Sequence, residues 1–391
     1  MSISLPQIRI TFKQLVASFI ERSERGNVIL IARDDTSIFS TKVYEKQEDL
    51  DKDKDLYTDF NYSYISDTFF GKANKVTVVR IGTTDDMSSA FAVIKGLEVG
   101  WIGIIESTFN QADQNSLVNF VKAQRDALIN FKCAVYNPTT PPNNKGIVVL
   151  SNPKGEFTDS RGLQDGDKII PTLIGYLAGA NVTRSVTNIT LSNLKSVTIG
   201  STPSNLTATN VGSSAVTLTW QDDGTSVDGL INSGQLVLIN KDGVVKVGVG
   251  INSLTDPPDG SKDPDAENDE KYIEIVEAED MIQDDISKAF DVGYQGSTKN
   301  KLDNQMLFVN EVNQYFDGLE SIDVLDNQYN NIADIDIDTQ RKALNKSGVD
   351  VSKMTDAQVK QYTYKRDLFL KGDIKVLFAM ANLHFGITMH N

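Results

Sequence analysis

The two histidines of this 391-residue chain, His384 and His390, both fall within its last eight residues, and Cys133 is its only thiol. Histidine is the usual carrier of protons near neutral pH, so the body of the chain holds no candidate for most histidine-dependent catalysis. A Ser/His/Asp triad would have to borrow one of the two terminal histidines. One cysteine excludes an intrachain disulfide and a cysteine-rich zinc site. Neither a Gly-x-x-x-x-Gly-Lys-Ser/Thr phosphate loop nor a Gly-x-Ser-x-Gly nucleophile elbow occurs. The stretch from Gly248 through Gly250 to Ser253 starts like a dinucleotide loop, but it lacks the third glycine and follows a hairpin, so it reads as a turn.

Carboxylates are the remaining chemistry. Asp334, Asp336 and Asp338 have the alternating spacing of calcium ligands, yet Thr339 stands where the loop needs glycine and Asn345 where it needs glutamate. Asp263, Asp265 and Glu267 reach Glu274 at the right distance, but Asn268 replaces the turn glycine and Pro264 stiffens the loop. Asp284 and Asp285 are adjacent on a helix and point apart, which suits a solvated or interface edge better than an acid/base pair. A cytoplasmic α/β enzyme or a carboxylate metal-binding protein therefore stands as the alternative class. The expectation is no catalytic, cofactor or metal site.

Charge is placed unevenly. Residues 256–340 hold 23 acids and 5 bases, whereas the rest of the chain holds 30 acids and 33 bases, for a total of −15. An acidic balance argues against nucleic acid as a partner, because phosphate binding needs clustered cations. The acidic stretch reads either as a solvated face or as a surface near a partner. No apolar run approaches the roughly 18–20 residues that cross a bilayer, and the N-terminus lacks the pattern of a signal peptide.

The elements that would carry any site follow from periodicity. NVILIA (27–32), KVTVVRI (75–81), WIGII (101–105), CAVYN (133–137) and GIVVL (146–150) are short apolar runs expected as buried strands. Between them, Asp86 caps a helix carrying Met87, Ala90, Phe91, Ile94 and Leu97, and a second helix is expected near 111–129. Residues 169–180 form a third, with Pro171 in its first turn. This order predicts an α/β fold, a mostly parallel sheet with helices on both faces. Residues 34–60 read as a loop or short excursion.

After residue 181 the chain turns β-rich, with strands at 215–220, 235–239 and 244–249 and an Asp242-Gly243 hairpin turn. Residues 256–270 read as a Pro/Asp-rich boundary, 271–277 as a strand, and 279–290 and 304–322 as helices. A further helix runs from Asp338 to Gly348. Another starts at the Thr355/Gln358 capping box and runs into the late 360s. The domain reading is an arm at 1–25, an α/β domain at 26–200 and a β-rich segment with a probable insertion at 201–260. An α+β domain follows at 261–382, then an arm at 383–391.

Both arms alternate. Ile8, Ile10 and Phe12 share one side of residues 5–13, and Leu383, Phe385, Ile387 and Met389 share one side of the last segment. A strand that lacks a local partner must pair elsewhere, in its own sheet or by addition to a neighbouring copy. About six new backbone hydrogen bonds contribute on the order of 6 kcal/mol. Ordering a residue costs about 1–2 kcal/mol, and burying each large apolar side chain returns about 1.5–3 kcal/mol. For seven residues the terms nearly cancel, so one arm is a weak tie and many arms in a lattice are a strong one.

The chain resembles the tail sheath proteins of contractile bacteriophage tails and phage-tail-like particles. The nearest likeness is to the compact sheaths of Gram-positive phages and defective prophages. The resemblance is carried by LPQIRITFKQL and RSERGNVILIARD (5–34), GYLAGANVTRSVTNITLSNL (175–194) and GQLVLINKDGVVKVGVGINSLTD (234–256). It continues through IEIVEAEDMIQDDI (273–286), GSTKNKLDNQMLFVNEVNQYFDGLESIDVLD (296–326) and FLKGDIKVLFAMANLHFGITM (369–389).

The resemblance implies a central subtilisin-like, non-catalytic α/β domain, a C-terminal α+β domain, and N- and C-terminal arms that exchange strands between subunits. It implies a six-start helical homopolymer around an inner tail tube, with baseplate and tail terminator proteins at its ends. That sheath, assembled in the bacterial cytoplasm, contracts to drive the tube through a cell envelope. A bacteriocin or another contractile injection system is the close alternative.

Overall fold

The computed structural model describes residues 20, 22–23, 25–150, 156–180, 182, 184–198, 208–210, 216–218, 227–258, 261 and 267–387. Strands β1 (Asn27–Arg33), β2 (Thr41–Tyr44), β3 (Lys75–Ile81), β4 (Trp101–Ile105), β5 (Lys132–Tyr136) and β6 (Ile147–Leu150) come first. Helices α1 (Gln47–Lys52), α2 (Asp59–Asp67), α3 (Met87–Ile94) and α4 (Gln111–Asp126) connect them. Then come β7 (Glu156–Asp159), β8 (Gly162–Asp165), α5 (Ile170–Gly179), β9 (Ser196–Thr198), β10 (Ala208–Asn210) and β11 (Val216–Leu218). α6 (Val227–Asn232), β12 (Gln235–Leu236), β13 (Leu238–Lys241) and β14 (Val244–Val247) follow. The chain continues with α7 (Ile273–Gly293), α8 (Leu302–Glu320), β15 (Ile332–Ile335), α9 (Ile337–Lys346), α10 (Asp356–Gln361) and β16 (Leu370–Asp373).

The described residues divide into two compact units: those of Ser23–Asp284 with those from Val376 on, and those of Met1–Arg22 with Asp285–Lys375. The first is built on a seven-stranded sheet of order β12-β6-β5-β4-β1-β3-β2, parallel except for the antiparallel edge strand β2. Alternation along β1 sends Val28, Leu30 and Ala32 into one apolar layer and Ile29 and Ile31 into the other. α5 covers the first layer with Ile170, Leu173, Ile174 and Leu177. α3 and α4 cover the second with Met87, Ala90, Ile94, Leu117, Phe120 and Val121. Helices on both faces explain why the strands are continuous apolar runs. α5 lies so close that a Cβ on Gly175 would sit 2.1 Å from the carbonyl oxygen of Thr68; only glycine fits there.

Three expectations change. Residues 34–60 hold β2 and α1 and open α2. β2 exists because Lys42 and Val43 pair with Val78 and Thr77, a contact no local pattern announces. The stretch 235–239 splits: β12 extends the central sheet beside β6, and β13 pairs with β14 through a two-residue Asp242-Gly243 turn, both residues at positive φ. Residues 271–277 are not a strand. α7 begins at Ile273, and its buried Ile273, Val276, Met281 and Ile282 follow helical spacing.

The second unit packs α8 through Phe308, Val309, Val312, Phe316 and Leu319, all buried. β15 and β16 form a two-stranded antiparallel sheet. Leu344, Val351 and Val359 make a small core around α9 and α10. The Thr355/Gln358 capping box is present, but α10 ends at Gln361, where Gln340 Nε2 takes the carbonyls of Val359 (2.6 Å) and Tyr362 (3.1 Å). No helix among the described residues is long and apolar enough to cross a membrane.

Candidate assembly surfaces

The carboxylates weighed as calcium ligands have other work. Asp336 caps α9, accepting from the Thr339 N–H at 3.0 Å. Asp334 accepts from Lys360 Nζ through both oxygens, at 2.6 and 2.9 Å, and from the Ile335 N–H at 2.7 Å. Among the described residues no group of three or more acid, histidine or cysteine side chains is placed to hold a metal ion. Cys133 is fully buried in β5, and that burial pushes its thiol pKa up, so its thiolate is suppressed.

Part of the acidic stretch turns inward rather than toward solvent. On α7, Glu277, Asp280 and Asp284 recur at helical spacing and meet cations of their own unit. Glu277 accepts from Trp101 Nε1 at 2.9 Å and pairs with Lys132 Nζ at 2.8 Å. Asp280 receives a bidentate fork from Arg125 at 2.9 and 3.0 Å, and Lys132 stands 3.4 Å away. Burial alone would raise the Asp280 pKa, but Lys132 and Arg125 outweigh it and hold the carboxyl below its usual range. Asp284 accepts from Arg25 (3.0 Å) and Asn130 (2.8 Å). Asp285 points apart from it, as expected, but is only 3% exposed and accepts from Tyr315 Oη at 2.7 Å. Neither carboxylate is a solvated edge. The spacing of acids along one helix face was the available signal.

The two edges of the β15–β16 sheet differ. Asn313 on α8 acts as a substitute strand: its Oδ1 accepts from the Ala333 N–H at 2.7 Å, and its Nδ2 donates to the Ala333 carbonyl at 3.1 Å. The Ile335 N–H is taken by the Asp334 carboxylate at 2.7 Å. The outward groups of Ala333 and the outward N–H of Ile335 are therefore occupied by side chains. The alternate residues face β16, as the Asp336 N–H to Phe369 carbonyl bond (2.9 Å) continues to show. By the same alternation Lys371 and Asp373 face β15, and Leu370 and Gly372 turn their N–H and C=O groups outward. Those outward groups have no backbone partner among the described residues.

The C-terminal segment is anchored and then released. Phe378 stacks edge-on against Tyr272 at 5.3 Å, and the Ala379 N–H donates to Glu274 Oε2 at 3.2 Å. Beyond this, Leu383, Phe385 and Ile387 are 88, 75 and 71% exposed, without strand pairing among the described residues. His384 is exposed on the same segment. Met389, Ile8, Ile10 and Phe12 lie outside the described residues.

The comparisons with known proteins meet this geometry. Residues 265–389 match the family model described as the phage tail sheath C-terminal domain. Over 98% of its length the chain is 24% identical to the tail sheath protein of Clostridium phage phiCD119, covering 99% of that protein. The fold is similar to the sheath tail protein of Desulfitobacterium hafniense, with TM-score 0.63, 13% identity, and 84% of this chain and 94% of that one covered. It is also similar to the helical sheath of the anti-feeding prophage in its contracted state, with TM-score 0.65, 12% identity and 99% of each chain covered. Residues 265–389 thus resemble the phage tail sheath C-terminal domain, and the chain as a whole is similar in sequence to a phage tail sheath protein and in fold to solved sheath proteins.

Proposed function

We propose that this chain is a tail sheath protein of a contractile phage or a related injection system, a self-polymerising, non-enzymatic structural subunit. Its terminal arms add as strands to neighbouring copies and act as hinged tethers while the globular bodies of the subunits rotate during contraction. The observation that carries the reading is the coexistence of an open strand edge at Leu370 and Gly372 with an apolar segment, Leu383 to Ile387, that has no strand partner among the described residues. A two-stranded ribbon is marginal alone, so added strands from Ile8, Ile10 and Phe12 or from Leu383, Phe385, Ile387 and Met389 would stabilise it. Asn313 leaves β16 as the acceptor edge.

The wider reading follows the resemblance: a six-start helix around an inner tail tube, bounded by baseplate and terminator proteins, assembled in the bacterial cytoplasm, with no nucleic acid or membrane partner. The parallel sheet with helices on both faces supports the subtilisin-like description of the α/β domain. The domain boundaries at 25, 200, 260 and 382 are part of the same proposal. Deleting residues 1–12 is expected to leave a folded monomer that no longer polymerises. Sheaths of normal length from that truncation, seen by negative-stain microscopy, would overturn the arm reading.

A further inference from the structure

The chain runs from β1 outward to β3, then crosses back over β1 to β4 and continues through β5 and β6. In a doubly wound sheet such a reversal leaves a crevice beyond the C-terminal ends of the strands, the usual place for a ligand. Here a cleft of about 530 Å³ lies at that point, lined by Arg33 at the end of β1, Asn61, Phe60, Asp85, Glu106 just after β4, and Asp113 on α4.

Its polar groups are unequally satisfied. Arg33 is occupied: it pairs with Asp113 at 2.9 Å and donates to the carbonyls of Gly82 and Asp85. Glu106 is 8% exposed. Its Oε2 accepts from the Asn110 N–H (3.1 Å) and Gln114 Nε2 (3.3 Å), whereas its Oε1 is buried with no partner. Such an orphan acceptor is costly unless a donor reaches it. The hydroxyls of Thr84, Ser107 and Thr108 on the same wall make no hydrogen bond to the described residues. The cleft thus offers three carboxyl groups against one guanidinium already paired, together with an aromatic ring at Phe60.

We propose that this cleft binds a small aliphatic amine, with the Glu106 carboxylate as its counter-ion and the neighbouring hydroxyls and Phe60 around its chain. Oε1 is closed to solvent as it stands, so the Glu106 carboxyl must turn toward the cleft to meet a ligand; an ammonium then supplies the donor that Oε1 lacks, and its stem and charge suit an aromatic wall. A metal ion fits worse, because the carboxylates are not grouped for ligation. The chemistry is shared by a free polyamine and by a lysine side chain presented by a protein.

Burial, together with the charges of Asp113 and Asp167, pushes the Glu106 pKa up to about 7 against the bonds from Asn110 and Gln114; Arg33 and Asp85 share the cleft. Binding a cation favours the ionised form, so affinity is linked to pH.

The test is calorimetry of the full-length chain, kept monomeric, with spermidine and with a Gly-Lys-Gly peptide. One saturable site is expected, about tenfold tighter at pH 8 than at pH 6. Glu106→Gln is expected to weaken binding and flatten its pH dependence, with circular dichroism checking that the variant is folded. Ser107→Ala, on the exposed wall, is expected to weaken binding a few-fold without touching the buried carboxyl. Tighter binding of spermidine assigns the site to a free polyamine, and tighter binding of the peptide to a protein side chain. No saturation by either probe at millimolar concentration, or affinity unchanged in Glu106→Gln, overturns the proposal.

Discussion

The two outer edges of the β15–β16 sheet are built from the same backbone groups, yet one is closed and the other open. On β15, Asn313 and Asp334 take the outward groups of Ala333 and the outward N–H of Ile335. On β16, Leu370 and Gly372 present theirs without backbone partners among the described residues. Natural sheets normally blunt both edges, because an open edge templates pairing with another chain. Blunting only one makes the sheet directional: under the proposed assembly, a strand arriving from a neighbour would have one place to add. In the proposed lattice that asymmetry would fix register as well as affinity.

The comparison breaks most visibly if the open edge is blocked. Gly372→Pro removes an outward N–H that the free chain does not use, and Lys371 is already extended, as a residue before proline prefers. The expected outcome is loss of sheath formation by sedimentation and microscopy, with the melting temperature of the monomer changed by only about 2 °C. A variant that polymerises normally would place strand addition elsewhere.

A core change sharpens the contrast by acting on stability instead of assembly. Asp280→Asn leaves the buried Arg125 without its charge partner and Lys132 with Glu277 alone, and is expected to cost about 3–5 kcal/mol in denaturant unfolding. The Asp280 pKa is depressed in the folded protein. Its contribution is therefore present above its unfolded value near 4 and lost as pH falls through the lower folded value. The gap between wild type and variant should close on acidification. A gap that widens instead would show that the carboxylate is not ion-paired.

The smallest effect is expected from opening the closed edge. Asn313→Ala leaves the N–H and C=O of Ala333 without partners, at a cost of about 1–3 kcal/mol. It also creates a second acceptor edge, so irregular aggregates should increase in light scattering. Sheaths as regular and as stable as wild type would show that the Asn313 cap is incidental.

Legibility in the sequence followed how local the cause was. β1 and β3 to β6 announced themselves, because strands buried on both faces are continuous runs of Val, Ile and Leu. The capping box at Thr355 and the Asp242-Gly243 turn were equally plain, since their chemistry sits within four residues. β2 was invisible: only Val43 and Tyr44 in it are apolar, and its strand character comes from pairing with β3. α1 looked like a charged loop because Leu50 is its only buried residue. The start of α7 was misread because Tyr272, Glu274 and Glu277 near Ile273 and Ile275 suggest alternation, while the buried set runs on to Met281 at helical spacing.

The candidate surfaces were legible by halves. The apolar alternation of Leu383, Phe385 and Ile387 reads as a strand from the sequence, and the structure shows these side chains exposed and outside any strand. The acceptor edge could not be read, since it depends on Asn313 reaching Ala333 from another element. The cleft beside Glu106 was hidden for the same reason, its walls coming from the ends of β1, β3 and β4, far apart in the chain.

The most direct test of the central claim is hydrogen exchange at individual β15 and β16 amides, in the free chain and in the assembled sheath. The expected result is that Ala333 and Ile335 are protected in both states, while Leu370 and Gly372 exchange fast in the monomer and slow by orders of magnitude on assembly. Unchanged exchange at Leu370 and Gly372 in the assembled sheath would contradict strand addition at this edge.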